Sequence, residues 1–107
     1  MRIMLKSKIH HIKVTNVAPN YEGSIAIDGG LLSRADILEY EQVHVLDLTN
    51  GNRFITYAIE GGKDECSVNG AAAQLVNVGD VLIIMAFSIL NDGASYELKP
   101  RIVVCDG

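Results

Sequence analysis

Val43-His44-Val45-Leu46-Asp47-Leu48-Thr49-Asn50-Gly51-Asn52-Arg53-Phe54-Ile55-Thr56-Tyr57-Ala58-Ile59 places an Asn-Gly pair between two runs rich in β-branched and aromatic residues. Asn and Gly tolerate the positive φ angles a tight reversal needs, so the pair predicts a β-hairpin. Val43 and Val45 alternate with His44 up to Leu48, and Arg53 to Ile59 is the return strand. β signals continue outward from it. Ile12 and Val14 alternate with polar neighbours, Ser24 to Asp28 reads as a short strand, and so does Ser67-Val68-Asn69. Glu60-Gly61-Gly62-Lys63-Asp64 is a turn, and Val78-Gly79-Asp80 turns into the strongest strand, Val81 to Leu90. Asn91-Asp92-Gly93 turns again, and Arg101 to Cys105, behind Pro100, is a last strand. Residues 30–35 and 70–75 are helical pieces of one or two turns, too short to hold without packing. Many short strands with frequent turns predict a mainly β protein with a few short helices, closed into a barrel that removes its edges.

The chain has 107 residues, read as one domain over 1–107, and little room for an enclosed cleft within one subunit. Sites in such small chains are often built between subunits, so an oligomer is expected. A formal charge of −4 lacks the positive field that nucleic acid or an anionic membrane requires. The longest apolar run, Val81 to Ile89, is too short to span a bilayer, and Met1 to Lys6 lacks a signal-peptide core. A cytoplasmic protein is expected. Cys66 and Cys105 lack C-x-x-C spacing and read as free thiols. His10, His11 and His44 offer no i, i+4 pair, so no metal site is expected.

Tyr21-Glu22-Gly23-Ser24-Ile25-Ala26-Ile27-Asp28 contains a Gly-Ser pair. Such pairs are usually turn or strand-edge residues, but a serine after a glycine can also attack its own backbone carbonyl. Lys8 and Arg53 are cations on strands beside apolar residues. Solvated faces explain most such residues; carboxylate binding is the functional alternative, with Arg as a planar fork. Tyr57 lies four residues after Arg53 and therefore on the same strand face, where it could donate a proton. Asn69-Gly70-Ala71-Ala72-Ala73 is either a tight strand-to-helix turn or a place where a ligand approaches the backbone.

Five blocks together resemble the bacterial pyruvoyl-dependent aspartate 1-decarboxylases. They are Met4-Leu5-Lys6-Ser7-Lys8-Ile9-His10, Tyr21 to Asp28, Thr49 to Tyr57, Val68-Asn69-Gly70-Ala71-Ala72-Ala73 and Val78-Gly79-Asp80-Val81-Leu82-Ile83-Ile84. They run in the family's order over nearly the whole chain. The resemblance implies a double-psi β-barrel and a homotetramer with sites shared between neighbouring subunits. It implies autocatalytic cleavage between Gly23 and Ser24, with Ser24 becoming a covalent pyruvoyl cofactor that forms a Schiff base with L-aspartate. It implies conversion of L-aspartate to β-alanine and carbon dioxide for pantothenate and coenzyme A synthesis. Lys8 and Arg53 match the family's substrate-carboxylate ligands and Tyr57 its proton donor. Thr56 and Asn69 match residues that assist self-processing. His10, Tyr21, Ala71 and Ala72 match further pocket positions. Leu46 stands where several relatives carry tryptophan, at the pocket edge. A maturation factor is a further possible partner. Two other readings stay open: an unprocessed or silent barrel acting as a binding module, and a small DNA-binding barrel, which the acidic charge disfavours.

Overall fold

The computed structural model describes residues 1–105; Asp106 and Gly107, which the sequence reading includes in its single domain, lie outside the described residues. Eight strands form one sheet: β1 (Arg2–Lys13), β2 (Asn16–Ala18), β3 (Ser24–Asp28), β4 (Gln42–Asp47), β5 (Arg53–Gly61), β6 (Cys66–Asn69), β7 (Val81–Leu90) and β8 (Arg101–Val104). Two short α-helices, α1 (Gly29–Ala35) and α2 (Asp92–Glu97), and a 3-10 turn over Gly70–Leu75 complete the chain. The strand order is β2-β6-β3-β5-β4-β7-β1-β8. The sheet is barrel-like but its two end strands, β2 and β8, do not close it by hydrogen bonds, an arrangement consistent with a double-psi β-barrel.

The Asn-Gly signal is a hairpin: β4 and β5 pair antiparallel, with Leu46 opposite Arg53. Gly51 takes φ +82°, the left-handed conformation that costs glycine little. The loop is tied down from below. Asp47 Oδ1 accepts from the backbone N–H of Thr49 (2.8 Å) and Asn50 (3.3 Å), while the Asn50 and Asn52 side-chain amides both donate to the carbonyl of Leu75. β7 runs antiparallel to both β1 and β4; Leu82, Ile83, Ile84 and Ala86 are buried, while its far end at Ile89 is exposed. Ile9, Ile25, Ile27, Val45, Leu82 and Ile84 are fully buried, each stabilising the fold by about 1.5–3 kcal/mol relative to exposure.

Two elements depart from the pattern-based reading. The expected turn at Asn91-Asp92-Gly93 opens α2: the Asn91 side chain accepts from Ala94 N at 2.8 Å, an N-cap that satisfies one orphan donor. β1 begins ten residues before Ile12, and Val14 falls just past its end, because pairing with β7 carries it from Arg2 to Lys13. It does so through two β-bulges, at Leu5/Ser7 and His10/Ile12. No described helix is long and apolar enough to cross a membrane.

Candidate active site

Ser24 opens β3 and is 3% exposed. β3 and β6 run antiparallel with Ser24 directly opposite Asn69, so the Asn69 side chain meets the serine. Asn69 Nδ2 donates to Ser24 Oγ at 2.9 Å. Asn69 ends β6, and Gly70 begins the 3-10 turn at φ +76°. A Cβ at Gly70 would stand 2.7 Å from Gly23 Cα and 2.9 Å from Gly23 N, so only glycine admits this approach of the turn to the Gly23-Ser24 peptide. Gly23 itself does not hold a positive φ and has open space around its own Cβ direction. The left-handed backbone of this corner therefore lies at Gly70, in contact with Gly23.

β3 also pairs with β5 in parallel, Ile25 facing Ala58. One step earlier on each strand stand Ser24 and Tyr57, on neighbours about 4.8 Å apart. Thr56 precedes Tyr57, and both line a shallow concavity of about 550 Å³ with Tyr40, Gln42 and Ile55. The Tyr40 and Tyr57 rings lie 6.3 Å apart in a tilted pair, a partner for Tyr57 that no sequence pattern signalled. Ala71 is exposed and Ala72 half-buried on the 3-10 turn, beside Asn69 in sequence. Tyr21 is exposed, two residues before Gly23.

The two cations are placed differently. Arg53 lines a separate concavity of about 210 Å³ with His44, Val45, Phe54 and Ile55. It lies four residues from Tyr57, about 13 Å along the strand. Lys8 pairs with Met85, Met85 with His44 and His44 with Ile55, so Lys8 sits three strands from β5, about 14 Å. Neither Lys8 nor Arg53 makes a hydrogen bond or ion pair among the described residues. His10 occupies the same outer face, two residues past Lys8; burial, then the charges of His11 and Lys8, hold its imidazole below the ordinary value. Its Nδ1 is buried without a partner. Thus one chain joins Gly23, Ser24, Asn69 and Gly70, brings Tyr57 and Thr56 to the neighbouring strand, and leaves Lys8 and Arg53 apart.

Among the described residues no three His, Cys, Asp or Glu side chains converge as a metal site. Cys66 is fully buried, and burial pushes its thiol up to about 12, which keeps it protonated and inert.

A small barrel-like β-sheet thus buries a serine directly after a glycine that a second glycine contacts. The aspartate decarboxylase family model matches residues 1–107. The aspartate 1-decarboxylase of Stenotrophomonas maltophilia (strain K279a) is 51% identical over 106 residues, covering 97% of this chain and 84% of the relative. That of Thermoanaerobacter pseudethanolicus is 49% identical over 107 residues, 98% of this chain and 92% of the relative. That of Syntrophomonas wolfei is 50% identical over 109 residues, covering all of this chain and 92% of the relative. The chain belongs to the aspartate decarboxylase family.

Proposed function

We propose that this chain decarboxylates L-aspartate to β-alanine and carbon dioxide in the cytoplasm, feeding pantothenate synthesis, after cleaving itself between Gly23 and Ser24. Family membership supports the reaction. The observation that carries the self-cleavage is the Asn69 amide on Ser24 Oγ, beside the Gly23 backbone that Gly70 grips. Asn69 has no basic atom, so its part is to orient Oγ and then to donate to the oxygen that becomes negative as Oγ attacks the Gly23 carbonyl. Thr56, on the adjoining strand, offers a second donor. The attack forms the Oγ–C bond, and collapse of the adduct breaks the Gly23 C–Ser24 N bond while the hydroxyl proton passes to the nitrogen, giving an ester with a free Ser24 amine. Loss of the Ser24 Cα proton then breaks the Cβ–Oγ bond, expels the Gly23 carboxylate and cuts the chain, and hydrolysis of the new dehydroalanine releases ammonia and leaves a pyruvoyl cap on residue 24.

Oγ departs with the Gly23 carboxylate, so the Asn69 amide is left beside residue 24 as a donor for the new group. The pyruvoyl ketone supplies an electrophile for the substrate amine and a sink for the electrons of the breaking Cα–carboxylate bond. Arg53 and Lys8 hold the substrate carboxylates, and Tyr57, one step from residue 24 across β3 and β5, returns a proton to Cα. His10, Tyr21, Ala71 and Ala72 shape the pocket wall. Because Lys8 and Arg53 are not gathered at Ser24 within one chain, we place the complete site between copies of a homotetramer. The outer face supports this: Ile55 is 59% exposed and Ile102 51%, and the cross-strand pair Ile3 and Ile89 is also exposed.

An intact mass spectrum tests the reading. We expect fragments 1–23 and 24–107, the latter with a pyruvoyl terminus; Ser24→Ala should stay uncut and lose β-alanine formation to background. Normal turnover by an uncut Ser24→Ala chain would refute it.

A further inference from the structure

The largest described cavity lies away from Ser24. It is a cleft of about 660 Å³ between the end of β1, α1, the turn at Asp64 and the end of β8. Lys13, Arg34 and His11 line it with polar groups, and Ile12, Leu31 and Val104 with apolar ones. Lys13 and Arg34 form no hydrogen bond or ion pair among the described residues. Their natural competitors are the carboxylates of Asp28 and Asp64. Asp28 is already spoken for: Oδ1 accepts from Gly30 N at 2.7 Å and Oδ2 from Asp64 N at 2.6 Å, and these bonds hold its carboxyl below the ordinary value. Asp64 is exposed at the rim and pairs with neither cation.

His11 makes the second observation. It sits in the His10/Ile12 bulge at φ +67°, a left-handed angle uncommon outside glycine. Neighbouring strand residues normally point to opposite faces. Here the bulge stacks the His10 and His11 rings, 3.9 Å apart at 23°, and turns His11 to the cleft wall. The bulge therefore carries a flat aromatic ring to the cleft that Lys13 and Arg34 also line, where neither cation pairs with Asp28 or Asp64.

We propose that this cleft is a binding site, separate from the reaction site, for an organic oxyanion: a phosphate or carboxylate held by Lys13 and Arg34, with a ring or chain against His11, Ile12 and Leu31. Clefts of some 300–1,000 Å³ take ligands of this kind, and Arg offers a planar fork to either oxyanion.

The proposal holds whether or not the chain cleaves itself, and the test is read by binding. Phenyl phosphate and benzoate are titrated separately into the full-length protein at constant ionic strength, followed by backbone amide NMR with inorganic phosphate as reference. We expect at least one organic probe to shift the amides of His11, Ile12 and Leu31, more tightly than inorganic phosphate does; which one responds tells phosphate from carboxylate. The double variant Lys13→Ala/Arg34→Ala should weaken it about tenfold or more, with Lys13→Arg and Lys99→Ala close to the parent. Unchanged affinity in Ser24→Ala would keep the site apart from the reaction centre. The idea fails if neither probe shifts cleft amides at about 10 mM. It also fails if the double variant, folded by its spectrum, binds as well as the parent, or if the shifts follow Ser24 and Asn69 instead.

Discussion

The corner holding Gly23-Ser24 and the outer face holding Lys8 and Arg53 are built on opposite terms. At the corner, every feature is local to one chain and satisfied: a buried hydroxyl, an amide donating to it and a glycine-to-glycine contact. On the outer face the cations are unpaired and the residues around them, Ile55 above all, are half-exposed or exposed. A buried polar group must find its partner during folding or destabilise the chain by about 1–3 kcal/mol. Exposed cations lose nothing while they wait for a ligand or a second copy. The contrast teaches that such a chain can be complete for self-cleavage and incomplete for turnover.

Mixing two dead variants would break that contrast most sharply. On the proposed mechanism, Ser24→Ala would lack the electrophile and Arg53→Ala a carboxylate ligand. If the site is shared between copies, co-refolded mixtures should recover a clear fraction of activity while each variant alone stays at background. If both residues act within one chain, the mixture stays dead. Asn69→Ala should slow the appearance of fragment 24–107 about a hundredfold, as loss of one donor to a developing oxyanion does, with melting changed little. Arg53→Ala should cleave at the parent rate in the same time course; equal slowing in both would erase the distinction. Gly70→Ala should destabilise the fold by about 1–3 kcal/mol, since the new methyl meets the Gly23 backbone at a left-handed φ. Thermal denaturation reads this, and a neutral result would mean the corner yields more than its contacts suggest.

The smallest effect belongs to the support beneath the Arg53 strand. Asp47 and Asp80 are both buried, and Asp47 Oδ2 has no hydrogen-bond partner; burial, then the neighbouring Asp80, raises the Asp47 carboxyl, while Asp47 and then the bond from Asn77 N lower that of Asp80. A raised folded-state value stabilises below the ordinary carboxylate range and is lost as pH rises through it; a lowered one stabilises above that range and is lost as pH falls through it. Stability should peak between the two and decline on the alkaline side. Asp47→Asn cannot ionise, so its melting temperature should fall less as pH rises. The difference should be on the order of 1 kcal/mol, or about 4–8 °C. Parallel pH profiles for parent and variant would mean that the Asp47 carboxyl is not raised in the folded chain.

Much of this architecture was legible in the chain. The Asn-Gly pair announced the β4–β5 hairpin, and the apolar run at 81–90 marked the strand β7. Gly23-Ser24 stood out because a serine after a glycine can attack its own backbone, whereas a processing role for Asn69 came only from the resemblance to the decarboxylases. The Asn91 cap was less visible, since Asn-Asp-Gly serves equally as a turn or as a helix start. The left-handed His11, the Gly70 contact, the Asp47 and Asp80 pair and the Tyr40 and Tyr57 pair carried no periodic signal at all.

What the sequence by itself determined is therefore the set of strands and the chemical groups available, because hydrophobic alternation and turn chemistry act over a few neighbouring residues. What only the tertiary structure decided is which groups meet. Strand register set Asn69 opposite Ser24, a bulge swung His11 to the cleft, and two intervening strands, β7 and β4, parted Lys8 from Arg53. Those distances depend on pairings between residues far apart in the chain, which the packing of the whole barrel selects.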